Sequence, residues 1–395
     1  MTTQIQTYDA IVVGGGPAGA TVATELARKK RRVLLLDRDG RIKPCGGAIP
    51  PRLVRDYAIP EALLVAKVKS ARMIAPSSKG VDMPIDGGFV GMVDREHFDE
   101  FLRVRATNAG AERATGTFER LERDSDGTAV VVYREGRDGP EHRVRGRLVV
   151  GADGARSSVA KQAIPGAEDV RCVFAYHEII KVPERTGFDG TRCDVYYQGK
   201  HSPDFYAWVF PHGQTASIGT GSMQKGFGLR PAIAALRGEL GLDTAETVRR
   251  EGAPIPLKPL KRWDNGQDVV LAGDAAGVVA PASGEGIYYA MACASMVADA
   301  GEEFLATGKP RALALARKRF MKAHGRVFWI LGIMQYFWYS SDKRREKFVA
   351  ICADKDVQRL TWESYMNKEL VRRDPMAHAR IFFKDLAHLF GFARA

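Results

Sequence analysis

Residues 8–38 read YDAIVVGGGPAGATVATELARKKRRVLLLDR, and no other stretch limits the fold as tightly. The apolar run Ala10 to Val13 predicts a buried strand. Gly14, Gly16 and Gly19 follow in G-x-G-x-x-G spacing, then an Ala-rich helix, then a second apolar strand ending at Asp37. Gly14 permits a tight turn, Gly16 lets the backbone approach a pyrophosphate, and Gly19 lets the helix pack closely on the sheet. The amide-rich helix start then faces the phosphates, and Asp37 stands where a carboxylate accepts hydrogen bonds from ribose hydroxyls. Strand, glycines, helix and acid agree, so the chain is expected to open with a dinucleotide-binding unit.

Two later segments repeat the strand-to-glycine-turn theme. RLVVGADGARSSVAK (147–161) predicts a strand entering Gly151-Ala152-Asp153-Gly154 and a helix start. DVVLAGDAAGVVAPASGEGIYYAMACASMVADA (268–300) predicts a strand, Gly273-Asp274, a second glycine turn at Gly284-Glu285-Gly286, and a helix. Between them, roughly 165 to 260, short β-like runs alternate (RCVFAYHEIIKV, RCDVYYQ, FYAWVFP, TASIGTG), as in an inserted antiparallel sheet. REGRDGP supplies a hairpin turn within 130–150, and from about 310 the pattern is helical.

The inserted sheet holds the least ordinary stretch, PDFYAWVFPHG (203–213). Tyr206, Trp208 and Phe210 fall at every second position, so a strand puts all three rings on one face. Two readings stand: a core face on which rings bury one another, or a wall for a long apolar ligand. His212 is expected to cap the turn. The segment KPCGGA (43–48) offers a free thiol, Cys45, beside the flexible pair Gly46-Gly47.

Charge and cysteine usage exclude some classes. The net charge of +12 comes from dispersed residues with local runs, RKKRR (28–32) and DKRREK (342–347), and no nucleic-acid module accompanies them. An anionic membrane surface or a phosphorylated cofactor suits that field better. The five cysteines are odd in number and form no C-x-x-C pair, which argues against a disulfide framework or a zinc site, so no metal is expected. MTTQIQTYDA lacks the pattern of a secretory signal, and VFWILGIMQYFWY (327–339) is too short and interrupted to span a bilayer. The expected location is cytoplasmic. RVFWILGIMQYFWYSSDKRREKF (326–348) reads either as a core helix with a solvated basic face or as an interfacial helix with Lys and Arg toward anionic lipid.

The ordered trio of motifs resembles the FAD-binding domain of the para-hydroxybenzoate hydroxylase and geranylgeranyl reductase superfamily. P-x-x-Y-x-W-x-F-P-x-G and the Cys-Gly-Gly loop resemble signatures of the geranylgeranyl reductase family, and the aromatic, basic tail is similar to its chlorophyll and bacteriochlorophyll branch. The resemblance implies an α/β fold: a Rossmann-type FAD-binding domain (1–72, 91–164 and 262–310), an inserted antiparallel substrate domain (73–90 and 165–261) and a helical C-terminal region (311–395). It implies FAD held by Gly14, Gly16, Ala18, Gly19, Asp37, Arg38, Cys45, Gly46, Gly47, Arg95, Asp153, Gly273, Asp274, Gly284, Gly286 and Ile287. For Arg95 the other reading is a solvated charge on an amphipathic helix. Asp37 departs from the Glu of many FAD enzymes, a shorter carboxylate of equal chemistry.

The implied activity is saturation of three isolated C=C bonds of a geranylgeranyl chain, on bacteriochlorophyllide or as diphosphate, to give phytyl. NADPH is the expected hydride source, bound transiently because no second G-x-G-x-x-G unit appears. Tyr206, Trp208, Phe210 and Pro211 would bind substrate, with Tyr206, Trp208 and Cys45 catalytic and Cys45 or Tyr206 the proton donor. Expected partners are the substrate and, peripherally, the cytoplasmic face of a photosynthetic membrane, with no nucleic acid. Two rivals share the frame: an FAD monooxygenase of an aromatic or polyprenyl substrate, and a non-catalytic flavin-containing pigment carrier.

Overall fold

The computed structural model describes residues 5–38, 42–168, 170–182 and 188–368. The chain forms two compact units: 1–43, 95–172 and 254–328 make the first, and 44–94, 173–253 and 329–395 the second. No helix of the described residues is long and apolar enough to cross a membrane.

The first unit is built on a seven-stranded sheet. Glu112–Thr115, Val33–Asp37, Gln6–Val13 and Glu141–Gly151 lie side by side, all parallel. The fourth strand changes partner along its length. Its residues 141–146 pair antiparallel with Ala129–Arg134, which continues to Thr117–Arg123, while 149–151 pair parallel with Val269–Leu271. Burial follows the partner: Arg143 and Arg145 in the hairpin half reach solvent, whereas Leu148, Val149 and Val150 are fully buried. A parallel strand covered on both faces needs an unbroken apolar run, and a hairpin strand only an alternating one. Pro17–Arg28, rich in alanine, packs with Arg95–Asn108 and Ile287–Thr307.

The second unit carries a seven-stranded sheet in the order Thr247–Pro256, Cys172–Lys181, Thr215–Ser222, Ala207–His212, Arg192–Tyr196, Ser70–Ile74, Gly80–Pro84. The insertion was expected to be antiparallel, but one junction, Arg192–Tyr196 with Ser70–Ile74, is parallel. The neighbour there comes from an earlier part of the chain, so no hairpin joins the two. One face buries Ala207, Val209, Ala216 and Ile218 against Ile233 and Leu236 of helix Leu229–Glu239. A three-stranded sheet (Ala48–Ile49, Val90–Val93, Leu64–Val68) lies in the same unit.

The compact units divide the chain differently from the motif order. Residues 44–72 belong to the second unit, because Ala48–Ile49 and Leu64–Val68 pair with Val90–Val93 and Ser70–Ile74 joins the large sheet. The C-terminal region is split as well: 311–328 stay with the first unit, and helices Asp342–Ile351 and Lys355–Asn367 with the second. Residues 369–395 of that region lie outside the described residues.

The basic run DKRREK is not uniformly solvated. Arg345 is buried, donating to the carbonyl oxygens of Pro203 and Tyr339 and to the Asp342 carboxylate at 2.6 Å. Replacing it strands two carbonyls in the interior. Arg345→Met is expected to lower urea-unfolding stability by about 2–4 kcal/mol, whereas exposed Arg344→Met changes it by less than about 0.5 kcal/mol.

Candidate functional site

The glycine loop of the first unit is shaped by contacts that exclude side chains. Gly14 ends its strand at φ +105°, and a Cβ there would overlap the Ala152 carbonyl oxygen of the second motif. A Cβ at Gly19 would overlap the Gly14 carbonyl oxygen, so the helix packs on the loop itself. Gly16 differs: a Cβ there would meet nothing within 4 Å among the described residues. It precedes helix Pro17–Arg28, whose start has no side-chain cap and no acid in its first turn. Open space before uncapped amides is what a pyrophosphate requires, and the residues fit that group.

The third motif closes on the first. Gly273 sits at φ +64°, and a Cβ on it would come 2.6 Å from Ala18. The next residue, Asp274, is half-buried, with its carboxylate side chain only 8% exposed and paired with Lys43. Gly286 precedes helix Ile287–Thr307, again with no side-chain cap and no first-turn acid; Ile287 is buried and Gly284 turns at φ +64°. A Cβ on Gly286 would stand 3.7 Å from the Asp274 carboxylate. Asp274, Lys43 and this helix start therefore converge.

Other expected cofactor residues behave differently. Both Asp153 oxygens serve the chain itself: Oδ1 accepts from the Ser157 hydroxyl at 2.5 Å, and Oδ2 from the Ser158 and Val159 amides at 2.7 and 3.3 Å. It holds the first amides of helix Ser158–Ala163, whose N-cap is Ser157, and burial raises its pKa. Arg95 is not a solvated charge; it lies buried in a two-bond pair with Asp99 at 2.8 and 2.7 Å. Asp37 accepts from Arg103 at 3.2 Å, and Arg103 also donates to the Gly15 carbonyl at 3.3 Å. Arg38 is exposed. Arg103 was missed, although Arg95, Asp99 and Arg103 fall at i, i+4 and i+8, a helical stripe that could have found it. Lys43 was read only as part of KPCGGA.

In the second unit the ring strand begins at Ala207, so Tyr206 stands just outside it. The rings form a ladder: Phe205 on Tyr206 at 4.2 Å between centroids, Tyr206 on Trp208 at 5.9 Å, and Trp208 on Phe210 at 6.1 Å. Tyr206 and Trp208 are 9% and 6% exposed, so those rings do bury one another, while Phe210 is half-buried and Pro211 buried. Trp208 faces Gly219 across the strand pair, where a Cβ would overlap the indole. Its N–H donates to Ser217 Oγ at 3.1 Å. His177 lies 2.9 Å from Ser217 Oγ through Nδ1 and 2.9 Å from Glu251 through Nε2. One donor pattern satisfies the chain: indole N–H to Ser217, Ser217 O–H to Nδ1, and Nε2–H to the carboxylate. No sequence motif marked His177, Ser217 or Glu251; only strand pairing brings them behind Trp208.

The Cys-Gly-Gly loop meets this strand. A Cβ at Gly46 would come 2.9 Å from the Phe210 ring. Gly47, at φ +74°, has the Val93 carbonyl and the His212 ring where a Cβ would go. Both glycines thus answer to protein packing, where the sequence suggested backbone approach to a cofactor ring. His212 was expected to cap the turn; instead its Nε2 donates to the Gly46 carbonyl at 3.1 Å, and burial lowers its pKa. Cys45 is half-buried, with its sulfur 3.4 Å from the Gly47 amide.

Comparison with known proteins places this geometry in context. Residues 7–314 match the FAD binding domain family. Geranylgeranyl diphosphate reductase of Rhodobacter capsulatus is 60% identical over 385 residues, covering 97% of this chain and 98% of its own. The chloroplastic geranylgeranyl diphosphate reductase of Oryza sativa is 36% identical, covering 96% and 85%. A crystal structure of a geranylgeranyl bacteriochlorophyll reductase-like protein from Thermoplasma acidophilum superposes with a TM-score of 0.81 at 21% identity, covering 94% of this chain and 100% of its own.

Two outcomes follow from these contacts. Gly16→Val is expected to keep the melting temperature of the flavin-free protein, because its side chain has space, yet to empty the cradle; released flavin per protein should fall about tenfold or more. For His212 the unfolded chain protonates near pH 6.5 and the folded chain at lower pH. Its contribution is therefore present above about pH 6.5 and lost as pH falls toward the folded value, and His201, also lowered by burial, acts with the same sign. Denaturant titrations at about pH 7.5 and 5.5 should show a smaller stability loss for His212→Gln than for the parent.

Proposed function

From the premise that this chain belongs to the geranylgeranyl diphosphate reductase family, we propose that it saturates isolated double bonds of a geranylgeranyl chain. The substrate is the diphosphate or the same alcohol esterified to a bacteriochlorophyllide, and three of its four double bonds are reduced to give phytyl. The enzyme works as a peripheral protein on the cytoplasmic face of a photosynthetic membrane.

The residues proposed to hold FAD are the Gly14–Gly19 loop and the region of Lys43, Asp274 and Gly286. FAD, when bound, supplies the hydride, replenished from NADPH. An isolated trisubstituted alkene has no carbonyl to draw off electron density, so positive charge develops at its tertiary carbon as a proton is delivered. Aromatic faces stabilise such charge where water is excluded. Trp208 suits that task because Gly219 and Ser217 fix its ring plane and satisfy its N–H, and Tyr206 and Phe210 extend the apolar surface. The Cys45 thiol or the Tyr206 hydroxyl delivers the proton. The observation that carries the reading is the packing of the Cys45-Gly46-Gly47 loop on the Trp208–Phe210 strand, which gathers reactive groups and rings from distant parts of the sequence.

The test is anaerobic turnover of geranylgeranyl diphosphate, with the hydrogens added to the chain counted by mass spectrometry. Trp208→Ala should keep its FAD while turnover falls about thirtyfold, the loss expected for a desolvated cation–ring interaction of about 2 kcal/mol. Equal rates would remove Trp208 from the mechanism, and an unchanged mass of the substrate with the parent enzyme would overturn the reductase reading.

A further inference from the structure

Helix Ala314–Trp338 has an outer face that is exposed among the described residues. Lys318, Lys322, Arg326, Trp329, Ile333 and Tyr336 are all exposed and follow one another at steps of four, four, three, four and three residues. At 100° per residue these positions stay within one narrow stripe. Its first half is basic. Its second half is apolar and aromatic, with Trp329 68%, Ile333 48% and Tyr336 85% exposed, three of the largest exposed hydrophobic side chains among the described residues. The helix contains five Lys or Arg residues and neither Asp nor Glu. Just beyond its end, exposed Arg344 lies 4.3 Å over the Phe337 ring.

We propose that this stripe is the surface by which the protein docks on an anionic lipid bilayer. Charge selects the occupant: a stripe with three exposed cations, Lys318, Lys322 and Arg326, and no acid is complementary to anionic headgroups and repels a second copy of itself. The gradient along the stripe sets the pose. Trp329, Ile333 and Tyr336 enter the headgroup–acyl boundary, where a ring with a polar edge is at home, and Lys318, Lys322 and Arg326 lie over the phosphates. Arg345 takes no part, since the fold holds it inside. The inference rests on the peripheral-membrane reading above and not on the chemistry of reduction.

The experiment is co-sedimentation of the full-length, FAD-loaded protein with vesicles of phosphatidylcholine alone or mixed with phosphatidylglycerol. Binding to the mixed vesicles is expected, with Trp329 fluorescence quenched by brominated acyl chains. The triple variant Trp329→Ser, Ile333→Ser, Tyr336→Ser should lose about tenfold or more in partitioning, and Lys318→Gln, Lys322→Gln, Arg326→Gln should lose the preference for anionic vesicles. Unchanged flavin content and melting temperature would show that both variants are folded. Three results would overturn the proposal. The parent could fail to bind any vesicle, which would also end the peripheral-membrane reading. Binding could survive both triple variants but vanish with Phe382→Ser, Phe390→Ser, placing the contact in the C-terminal segment. The serine variant could instead turn a dimer into a monomer with vesicle binding intact, making the stripe a protein interface.

Discussion

The chemistry of each unit depends on places where no Cβ fits. In the first unit the start of a helix is drawn against its own loop because Gly14 and Gly19 present bare backbone to one another. In the second, Phe210 occupies the space a side chain at position 46 would need, and the Trp208 indole lies where one at 219 would be. Dense packing of this kind tolerates no added methyl without displacement of a carbonyl or a ring. Gly16 is the exception, and that exception is informative: its missing side chain leaves space that no described residue fills.

Around these contacts the polar groups are arranged so that few buried charges stand alone. Arg95 has Asp99, Arg103 has Asp37 and Glu100, and Asp274 has Lys43. The Glu251–His177–Ser217 series ends on the Trp208 N–H and gives the ring one orientation. Such networks cost desolvation and add little net stability, but they leave the Trp208 ring with a defined geometry. The basic runs divide in the same way. Lys29, Arg31 and Arg32 pair with Asp299, Glu302 and Glu112, and Arg345 is internal, so the positive field toward solvent comes from other residues, among them the outer stripe of the long helix.

Much of the fold was legible from pattern. The strand before Gly14, the helix after it, the hairpin in 130–150 and the period-two rings all have local causes, and of these only Tyr206 falls outside its expected strand. Boundaries between compact units were less so, because 44–72 is assigned by strand pairing across long sequence separations. Among the candidate site residues the glycines were marked by spacing and Asp274 by its motif. Arg103, Lys43, His177, Ser217 and Glu251 were not, since each acquires its partner from a different element.

By itself, then, the amino-acid order determined the local grammar: where a loop must be bare, which strands are covered on both sides, which rings share a face. Those properties arise from backbone sterics and apolar periodicity within a few residues. Tertiary structure alone decided what those features serve. It gave the Asp153 carboxylate to the first amides of helix Ser158–Ala163 and made Gly46-Gly47 the seat of Phe210 and His212, and it put Ser217 beneath the Trp208 N–H. Hydrogen bonds and steric exclusion act over about 3 Å in space whatever the separation along the chain, and only folding brings such groups within that reach.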